Sequence, residues 1–309
     1  MPTDLEPDFI PPHPRLPRTY SAEQLLAADL PPRAMMLDPI LARQSLALLY
    51  GPRGLGKTFV AMGIAWAAAA GGSFLKWQAS RPHRVLYVDG EMPAPDLKQR
   101  IEILGSAPRG LSYILASLSP DGIPDLGKRA GQQAFEHCWK EPPELLVLDN
   151  LSSLVGMVTD DPDSWNTLQA WLLDLRRRGI AVLLVHHAGK DGSQRGTSRR
   201  EDVLDIVLAL RRPSDYEAAQ GARFELHFEK ARGLFGDSAD PFEARLETDG
   251  AGLVHWRWQP LSTGLLDRAV PLFQAGLSVR EVAEELEISK TACHRLRLQA
   301  MEKRLMDGG

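Results

Sequence analysis

The chain has 309 residues, 44% of them hydrophobic and 25% charged, so it can bury a large core and carry a small appendage. Its formal charge of −4 provides no overall attraction to nucleic acid, and any such binding must come from a local patch. Cys138 and Cys293 lie far apart and outside any metal-ligand spacing, which argues against a disulfide framework or a zinc site. We expect a cytoplasmic protein, because no targeting signal or membrane span is visible.

The N-terminal segment is rich in proline. Six prolines fall within the first twenty residues, which predicts an extended arm over residues 1–20 because proline cannot donate backbone hydrogen bonds. Ser21 and Gln24 then have the spacing of a capping box, which predicts a short helix ending near Asp29. The two prolines that follow, Pro31 and Pro32, stop it.

From Ser45 onward, apolar runs alternate with helical patterns. The predicted strands are Ser45–Tyr50, Arg84–Asp89, Leu111–Leu118, Glu144–Asp149 and Ile180–His186. The predicted helices lie near Thr58–Ala70, Asp96–Leu104, Lys128–Trp139 and Pro162–Arg178. The three arginines that end the last helix precede Gly179, which is typical of a helix C-terminus rather than of a DNA contact. The alternation predicts an α/β fold with a mostly parallel, helix-covered sheet.

After Glu201 the pattern changes to strands joined by polar turns. These predicted strands are Val203–Leu210, Arg223–Ala231, Phe242–Glu247 and Gly252–Trp258, and we expect them to extend the sheet in antiparallel fashion. A final helical unit begins near Leu261. The predicted domains are therefore the arm at 1–20, a nucleotide-binding domain at 21–260 and a small all-α domain at 261–309.

A complete phosphate-binding motif follows the first predicted strand. The spacing G-x-x-x-x-G-K-[ST] places backbone N–H groups around phosphates, a lysine on the β/γ-phosphates and a hydroxyl on Mg²⁺. We expect ATP to contact the loop and the residue after it: Gly51, Pro52, Arg53, Gly54, Leu55, Gly56, Lys57, Thr58 and Phe59.

Two further predicted strands end in carboxylates. Asp149 ends an apolar strand, which in P-loop enzymes places an aspartate beside the phosphate loop, where it helps Thr58 to hold Mg²⁺. Another strand ends at Asp89 and is followed by Glu91. We predict that Glu91 is the general base that activates the water attacking the γ-phosphate, with Asp89 as the rival candidate.

Two histidines end the strand that begins at Ile180. Because side chains alternate along a strand, we expect one of the two to face the nucleotide. We favour His187 as the group that senses the γ-phosphate and His186 as a core residue, although the reverse order fits the same pattern. The loop at 189–200, rich in glycine and cations, is a candidate to reach into a ring channel or across a subunit boundary.

The segment from about Ser21 to Arg232 resembles the RecA-like ATPase core, and most closely the RepA-type hexameric replicative helicases and their AAA-family relatives. The matching strings are LLYGPRGLGKT, RVLYVDGEM, LLVLDNLSSL, VLLVHHAGK, RGTS and FEKARGLFG. The resemblance implies a nucleotide bound between subunits of a ring. It implies that Glu91 is the catalytic glutamate, Asp149 the Walker B aspartate and His187 the sensor. It also suggests a finger that reaches the neighbour's γ-phosphate, supplied by Arg195, Lys230 or Arg232.

The C-terminal segment has the pattern of a helix-turn-helix. A capping box begins at Ser278, and Ser289 caps a second predicted helix after a turn in which Glu287 would adopt the left-handed conformation. The segment resembles the helix-turn-helix of resolvases and sigma factors. That resemblance places the DNA-binding residues on the second helix: Lys290, Thr291, His294, Arg295 and Arg297. The alternative is a helical lid or an oligomerisation element.

Taken together, these patterns predict an ATP-hydrolysing, Mg²⁺-dependent, ring-forming motor or helicase that acts on DNA during plasmid or mobile-element replication. The expected partners are further copies of the chain, forming a homo-oligomer such as a hexamer, and DNA, with no membrane. The alternative function is a DNA-binding regulator or assembly factor in which ATP switches the oligomeric state and no unwinding occurs.

Overall fold

The computed structural model describes residues 18–156, 162–188, 202–248, 254–302 and 305. The chain divides into two compact units, Met1–Pro32 and Arg33–Gly309. The described part of the first unit contains helix α1 (Ala22–Ala27), which has no buried residue. The predicted capping box is present, because the Ser21 hydroxyl accepts from Gln24 N–H while the Gln24 side chain accepts from Ser21 N–H.

The second unit contains the sheet and the remaining helices. Its strands are β1 (Met35–Leu37), β2 (Leu41–Ala42), β3 (Leu46–Gly51), β4 (Ser73–Phe74), β5 (Trp77–Gln78), β6 (Val85–Asp89), β7 (Leu111–Leu115), β8 (Leu145–Asp149), β9 (Ala181–His187), β10 (Ile206–Arg211), β11 (Arg223–Ala231), β12 (Phe242–Thr248) and β13 (Val254–Pro260). Its helices are α2 (Lys57–Ala70), α3 (Ala94–Glu102), α4 (Arg129–Glu136), α5 (Leu151–Leu154), α6 (Pro162–Arg177), α7 (Leu261–Gln274), α8 (Val279–Glu285) and α9 (Lys290–Glu302). None of the helices in the described ranges is long and apolar enough to cross a membrane.

Nine strands form one sheet in the order β13-β12-β11-β10-β3-β9-β8-β6-β7. The strands from β10 to β7 in this order are parallel, and β11, β12 and β13 extend the sheet in antiparallel fashion. The mostly parallel sheet with an antiparallel extension is therefore confirmed. One detail of the prediction was wrong: β10 is parallel to β3, with Ile206 opposite Ala47, so the antiparallel part begins only at β11.

Helices cover both faces of the parallel strands. On one face, α2 packs on β3, β9, β8 and β6, and the short hairpin β4–β5 closes the edge of this layer. On the other face, the core includes Leu146, Leu148, Leu168 and Leu172 from β8 and α6. The strands β3, β6, β8, β9 and β10 are apolar along most of their length because both of their faces are buried.

The hairpin β4–β5 approaches α2 at Gly63, a feature that the sequence patterns did not predict. A Cβ at Gly63 would lie 2.1 Å from the Phe74 ring, so only glycine allows this contact. Phe74 in turn packs against Trp77 and Trp256 with ring centroids 6.1 and 5.8 Å apart. The contact joins the phosphate-loop helix to the antiparallel part of the sheet.

The helices α7, α8 and α9 enclose a small core of their own, which includes Leu266, Phe273, Val282 and Leu296. Glu287, in the turn between α8 and α9, has φ 51°, the left-handed conformation expected there. Helix α7 follows β13 directly and contacts β12 and β13. Its Arg268 donates to Ser214 Oγ at 2.7 Å and lies 3.5 Å from the Asp215 carboxylate in the loop between β10 and β11.

A buried carboxylate joins the starts of β6 and β8. Glu144 Oε1 accepts from Arg81 Nη2 at 2.9 Å and Oε2 accepts from Arg84 N–H at 3.1 Å. His83 Nδ1 lies 3.4 Å from Oε1. Burial by itself would raise the pKa of Glu144, but these donors outweigh it and lower the pKa to about 2.

We expect the Glu144 contacts to stabilise the fold in a pH-dependent way. The folded-state pKa lies below the ordinary value of 4.5, so the contribution is complete above about pH 4.5 and is lost as the pH falls towards 2. With the half-exposed Arg81 allowed for, it is on the order of 2 kcal/mol. Urea unfolding of wild type and Glu144→Gln across pH 6 to 3 should show a shallower pH dependence in the variant.

The matched control for this experiment is Glu141→Gln, because the Glu141 side chain is 74% exposed and lies 3.7 Å from Arg84. This variant should keep the pH dependence of the wild type. Equal pH dependence of wild type and Glu144→Gln would contradict the prediction.

Candidate functional site

The carboxyl ends of β3, β9, β8 and β6 meet at one edge of the sheet. Because these strands are parallel neighbours, the residues that follow each of them come together. A cavity of about 540 Å³ opens at this edge. Lys57 and Thr58 reach it from the phosphate loop, Glu91 from the end of β6, Asp149 from β8 and His187 from β9.

The loop between β3 and α2 has the geometry of a phosphate cradle. Gly54 and Gly56 have φ 74° and 94°, a backbone conformation that other residues rarely adopt. Lys57 Nζ donates to the carbonyls of Gly51 at 2.9 Å and Pro52 at 2.6 Å. Of the predicted nucleotide contacts, the following line the cavity: Arg53, Gly54, Gly56, Lys57, Thr58 and Phe59.

Three predicted contacts, Gly51, Pro52 and Leu55, do not line the cavity. The Leu55 side chain is buried in the core, so this residue can offer a nucleotide only its backbone. The Lys57 ammonium is itself buried. Burial lowers the pKa of Lys57 to about 8, while the charge of Asp149 opposes that effect. The lysine and the aspartate therefore stabilise each other's charged forms.

Asp149 is buried at the end of β8, where two hydroxyl groups reach it. Tyr87 Oη donates to Asp149 Oδ2 at 2.6 Å, and the Thr58 side chain hydrogen-bonds the same carboxylate. Burial raises the pKa of Asp149 to about 6 in spite of these bonds. Mg²⁺ is usually held by one or two protein oxygens together with substrate phosphates, so the adjacent oxygens of Thr58 and Asp149 fit this ion.

The two carboxylates after β6 lie in different surroundings. Asp89 is buried, and its Oδ1 accepts the N–H groups of Glu91 at 2.9 Å and Met92 at 2.6 Å. Burial raises the pKa of Asp89, and these two bonds oppose the rise. Glu91, in contrast, has a side chain that is 68% exposed at the cavity. Asp89 therefore holds the turn, and Glu91 is the carboxylate accessible to a water molecule.

The histidines divide as the strand alternation predicts. His186 is buried beneath the site, whereas His187 lines the cavity. His187 Nε2 lies 3.3 Å from Asn150 Nδ2 and 3.8 Å from Glu91 Oε2. Burial lowers the pKa of His187, and Lys57 adds to the effect, so the ring is neutral at pH 7.

The Asn150 side chain lies between two of the catalytic candidates, Glu91 and His187, and contacts both. Its Nδ2 donates to Glu91 Oε2 and lies within reach of His187, while its Oδ1 accepts from Ser153 N–H at the start of α5. The bond to Ser153 fixes which end of the amide faces the cavity. Asn150 can therefore hold both Glu91 and His187 in place.

Two of the three finger candidates, Lys230 and Arg232, do not line this cavity. Arg232 Nη2 donates to Asp202 O at 3.1 Å, and Arg232 N–H pairs with Asp205 O beside the start of β3. The six residues from Leu46 to Gly51 span five steps, which put that end of the strand roughly 16 Å from the phosphate loop. Lys230, opposite Val207, contacts the same Asp202 carbonyl at 3.4 Å. Arg195 and the loop at 189–200 lie outside the described residues.

The predicted DNA-binding residues lie along α9. Lys290, Thr291, His294 and Arg295 are exposed. Arg297 differs, because it is partly buried with its guanidinium 6.0 Å from the centre of the Phe273 ring. Arg297 lies where the exposed face of the helix meets its buried face, and its role in DNA binding stays a prediction.

The sequence patterns did not single out Asn150 and Arg100, which line the cavity, or Tyr87, which bonds Asp149 from the core. The signal for Tyr87 was a hydroxyl within an otherwise apolar strand, and for Asn150 an amide next to the strand-end carboxylate. Arg100 lies on the amphipathic helix α3, and no spacing in the sequence distinguished it from a solvated surface residue.

A glycine-rich phosphate loop between a strand and a helix, with a strand-end aspartate beside its threonine, defines a P-loop ATPase. The chain belongs to the AAA domain family, whose model matches residues 11–193.

Among curated proteins, the DNA repair protein RadA of Brucella abortus is 27% identical over 171 residues, or 54% of this chain and 33% of that protein. The DNA repair protein RadA of Streptococcus pneumoniae is 25% identical over 169 residues, which cover 53% of this chain and 35% of that protein. The matched region thus spans about a third of the length of these relatives.

Two solved structures are also similar. The KaiC-like protein PH0186 of Pyrococcus horikoshii OT3 has a TM-score of 0.48 and 15% identity, covering 73% of this chain and 99% of that one. The flagellar accessory protein FlaH of Methanocaldococcus jannaschii has a TM-score of 0.47 and 12% identity, and the match covers 70% of this chain and 90% of that one. At this level of likeness, neither adds to the assignment.

Replacing Lys57 by Ala removes the buried ammonium from the phosphate loop. We expect ATP affinity to fall by about 30-fold or more, since losing a charge-assisted contact in a buried site costs about 2–5 kcal/mol. Isothermal titration with ATP measures this, and thermal unfolding should show that the fold persists.

The matched control is Lys98→Ala, whose side chain on α3 is 77% exposed and which should bind ATP like the wild type. Near-normal ATP affinity of Lys57→Ala would contradict the role given to the phosphate loop.

Proposed function

We propose that the protein is a Mg²⁺-dependent, ring-forming ATPase that works on DNA as a motor or helicase during plasmid or mobile-element replication. The observation that carries the ATPase part is the convergence of Lys57, Thr58, Glu91 and Asp149 on one cavity. These groups supply the charge, the hydroxyl, the base and the buried carboxylate that phosphoryl transfer to water requires.

The residues divide the chemistry among them. The loop N–H groups and Lys57 bind the phosphates, while Thr58 and Asp149 would hold Mg²⁺, which neutralises charge on the phosphate oxygens when bound. Glu91 accepts a proton from the attacking water. The water oxygen bonds to the γ-phosphorus while the bond from that phosphorus to the β,γ-bridging oxygen breaks, and ADP leaves. In this proposal Asn150, which contacts both side chains, orients Glu91, and neutral His187 senses the γ-phosphate.

The choice of base is tested by two amide replacements. Glu91→Gln keeps the shape but cannot accept the proton, so we expect ATP to bind normally and turnover to fall by about 100-fold or more. Asp89→Asn changes a carboxylate that is tied to backbone N–H groups, so its turnover should fall less. Phosphate release in single-turnover conditions, together with ATP titration, separates chemistry from binding.

If Glu91→Gln hydrolyses ATP at the wild-type rate while Asp89→Asn is inactive, Asp89 is the base and the assignment of Glu91 is wrong. Loss of ATP binding in both variants would instead point to a structural role for this turn.

Assembly into a ring, such as a hexamer, is proposed from the resemblance to RepA-type helicases and from where the finger candidates lie. Lys230 lies opposite Val207 and Arg232 N–H pairs with Asp205 O, and neither residue lines the phosphate-loop cavity of its own chain. A finger supplied by either residue would therefore act on a nucleotide held by a neighbouring copy. Arg195 is the other candidate in this proposal.

DNA association is supported by the C-terminal helices. The pattern of a cap at Ser278, a left-handed turn at Glu287 and exposed cations on α9 fits a helix-turn-helix with α9 as the recognition helix. Acidic residues lie instead on α8, where Glu281, Glu284 and Glu285 are exposed. The positive charge of this unit is thus concentrated on α9. The name of the two RadA relatives, DNA repair protein, agrees with a DNA-associated role.

We expect Lys290→Ala and Arg295→Ala to weaken duplex binding and to reduce the slope of log affinity against log salt by about 1 each. ATP hydrolysis without DNA should be unchanged, because the nucleotide cavity is formed by other elements. Fluorescence anisotropy with a duplex at several salt concentrations measures the effect.

Arg177→Ala is the matched control, since Arg177 is an exposed arginine at the end of α6 that pairs with Asp174. It should leave duplex affinity unchanged. If the Lys290 and Arg295 variants bind duplex like the wild type but no longer assemble, the unit is an oligomerisation element.

A further inference from the structure

One wall of the nucleotide cavity carries a stacked pair of side chains. The Arg100 guanidinium lies over the Phe59 ring, with Cζ 4.7 Å from the ring centre. Both residues line the cavity. Phe59 is in the first turn of α2, directly after the phosphate-binding Lys57 and Thr58. Arg100 is three residues after the buried Leu97 on α3, so it faces the same side of that helix as the core contact.

The lining of the cavity falls into two chemical groups. The first contains the residues that the hydrolysis mechanism uses, which include Lys57, Thr58, Glu91 and Asp149. The second contains Phe59, Met92, Pro93 and Arg100, and none of their side chains has a hydrogen-bond acceptor on nitrogen or oxygen. This second group offers flat and apolar surface together with a cation, and the mechanism leaves it without a role.

A nucleoside triphosphate has a part that matches this surface. Its base is planar and stacks well on aromatic rings and on guanidinium groups, and such stacking tolerates any base because each has a π-face. A purine gains more from stacking than a pyrimidine, because its two fused rings cover more surface. Reading the edge of adenine by side chains would require an acceptor for its amino group, and no side chain of this wall supplies one.

We propose that the Phe59–Arg100 stack is the platform for the base of the nucleotide, and that it recognises a purine by its face rather than by its edge. The inference rests on the proposed function, since it requires that the cavity binds a nucleoside triphosphate. It predicts that GTP binds within a few-fold of ATP, whereas CTP binds more weakly.

Charge and stacking must be separated in the test, because the Arg100 guanidinium is both a planar group and a cation. Its charge opposes the rise in the pKa of Asp89, which shows that its field reaches the turn after β6. Arg100→Lys keeps the positive charge and removes the planar group. Inorganic tripolyphosphate has the phosphates of ATP without its base, so it reports the charge effect alone.

We expect Arg100→Lys to weaken ATP and GTP binding by about 5- to 10-fold each, the loss typical of one stacking contact. Tripolyphosphate affinity should change by less than about 2-fold, because the charge is retained. Phe59→Leu, which keeps an apolar side chain without a ring, should show the same selective loss. Lys98→Ala, an exposed cation on the same helix, is the control and should bind all three ligands like the wild type.

Equal losses of ATP and tripolyphosphate in Arg100→Lys would show that Arg100 serves the phosphates, and unchanged ATP affinity would show that it does not contact the nucleotide. Either result overturns the inference, as does a preference of the wild type for ATP over GTP of about 100-fold or more. If the wild type binds neither ATP nor tripolyphosphate, the proposed function itself fails, which is a different outcome from the first two.

Discussion

The parallel arrangement of β3, β9, β8 and β6, covered by helices on both faces, is the constraint on which the site depends. Both faces are closed to water, so polar side chains on these strands can reach solvent only at the strand ends. Parallel direction then puts all the carboxyl ends at the same edge. Groups that are more than a hundred residues apart in the sequence, such as Lys57 and His187, therefore line the same cavity.

The same burial sets the electrostatics of the site. Lys57 and Asp149 are each shifted towards their neutral forms by loss of water, and each opposes the shift of the other. A phosphate and a metal ion would each find a partner of opposite sign already fixed in position. Preorganised charge of this kind needs little rearrangement when a substrate binds, which is the usual source of catalytic stabilisation.

Those features that depend on local sequence were predictable. The phosphate loop, the strand ending at Asp149 and the capping box at Ser278 each follow from residue types at fixed spacing. Other features depend on packing between distant segments. The hairpin β4–β5 has strands of only two residues and is held by the approach of Phe74 to Gly63.

Direction and orientation were the other information that the sequence lacked. β10 is buried on both faces, and such a strand has the same apolar pattern whether it runs parallel or antiparallel to β3. The sequence placed Asn150 beside Asp149, but only the fold shows that its amide turns towards Glu91 and His187. The partial burial of Arg297 could not be predicted for a related reason, because helical spacing alone does not fix where the edge of the buried face falls.

The attachment of α7 sets how the C-terminal helices can search for a ligand. No linker separates β13, which ends at Pro260, from α7, which begins at Leu261, and Arg268 ties α7 to the loop after β10. A domain on a flexible tether samples many orientations and pays an entropic cost when it binds. Helix α9, carried on a helix that continues directly from the sheet, has far fewer orientations to sample. Any surface that it recognises must therefore approach from a direction set by the ATPase core.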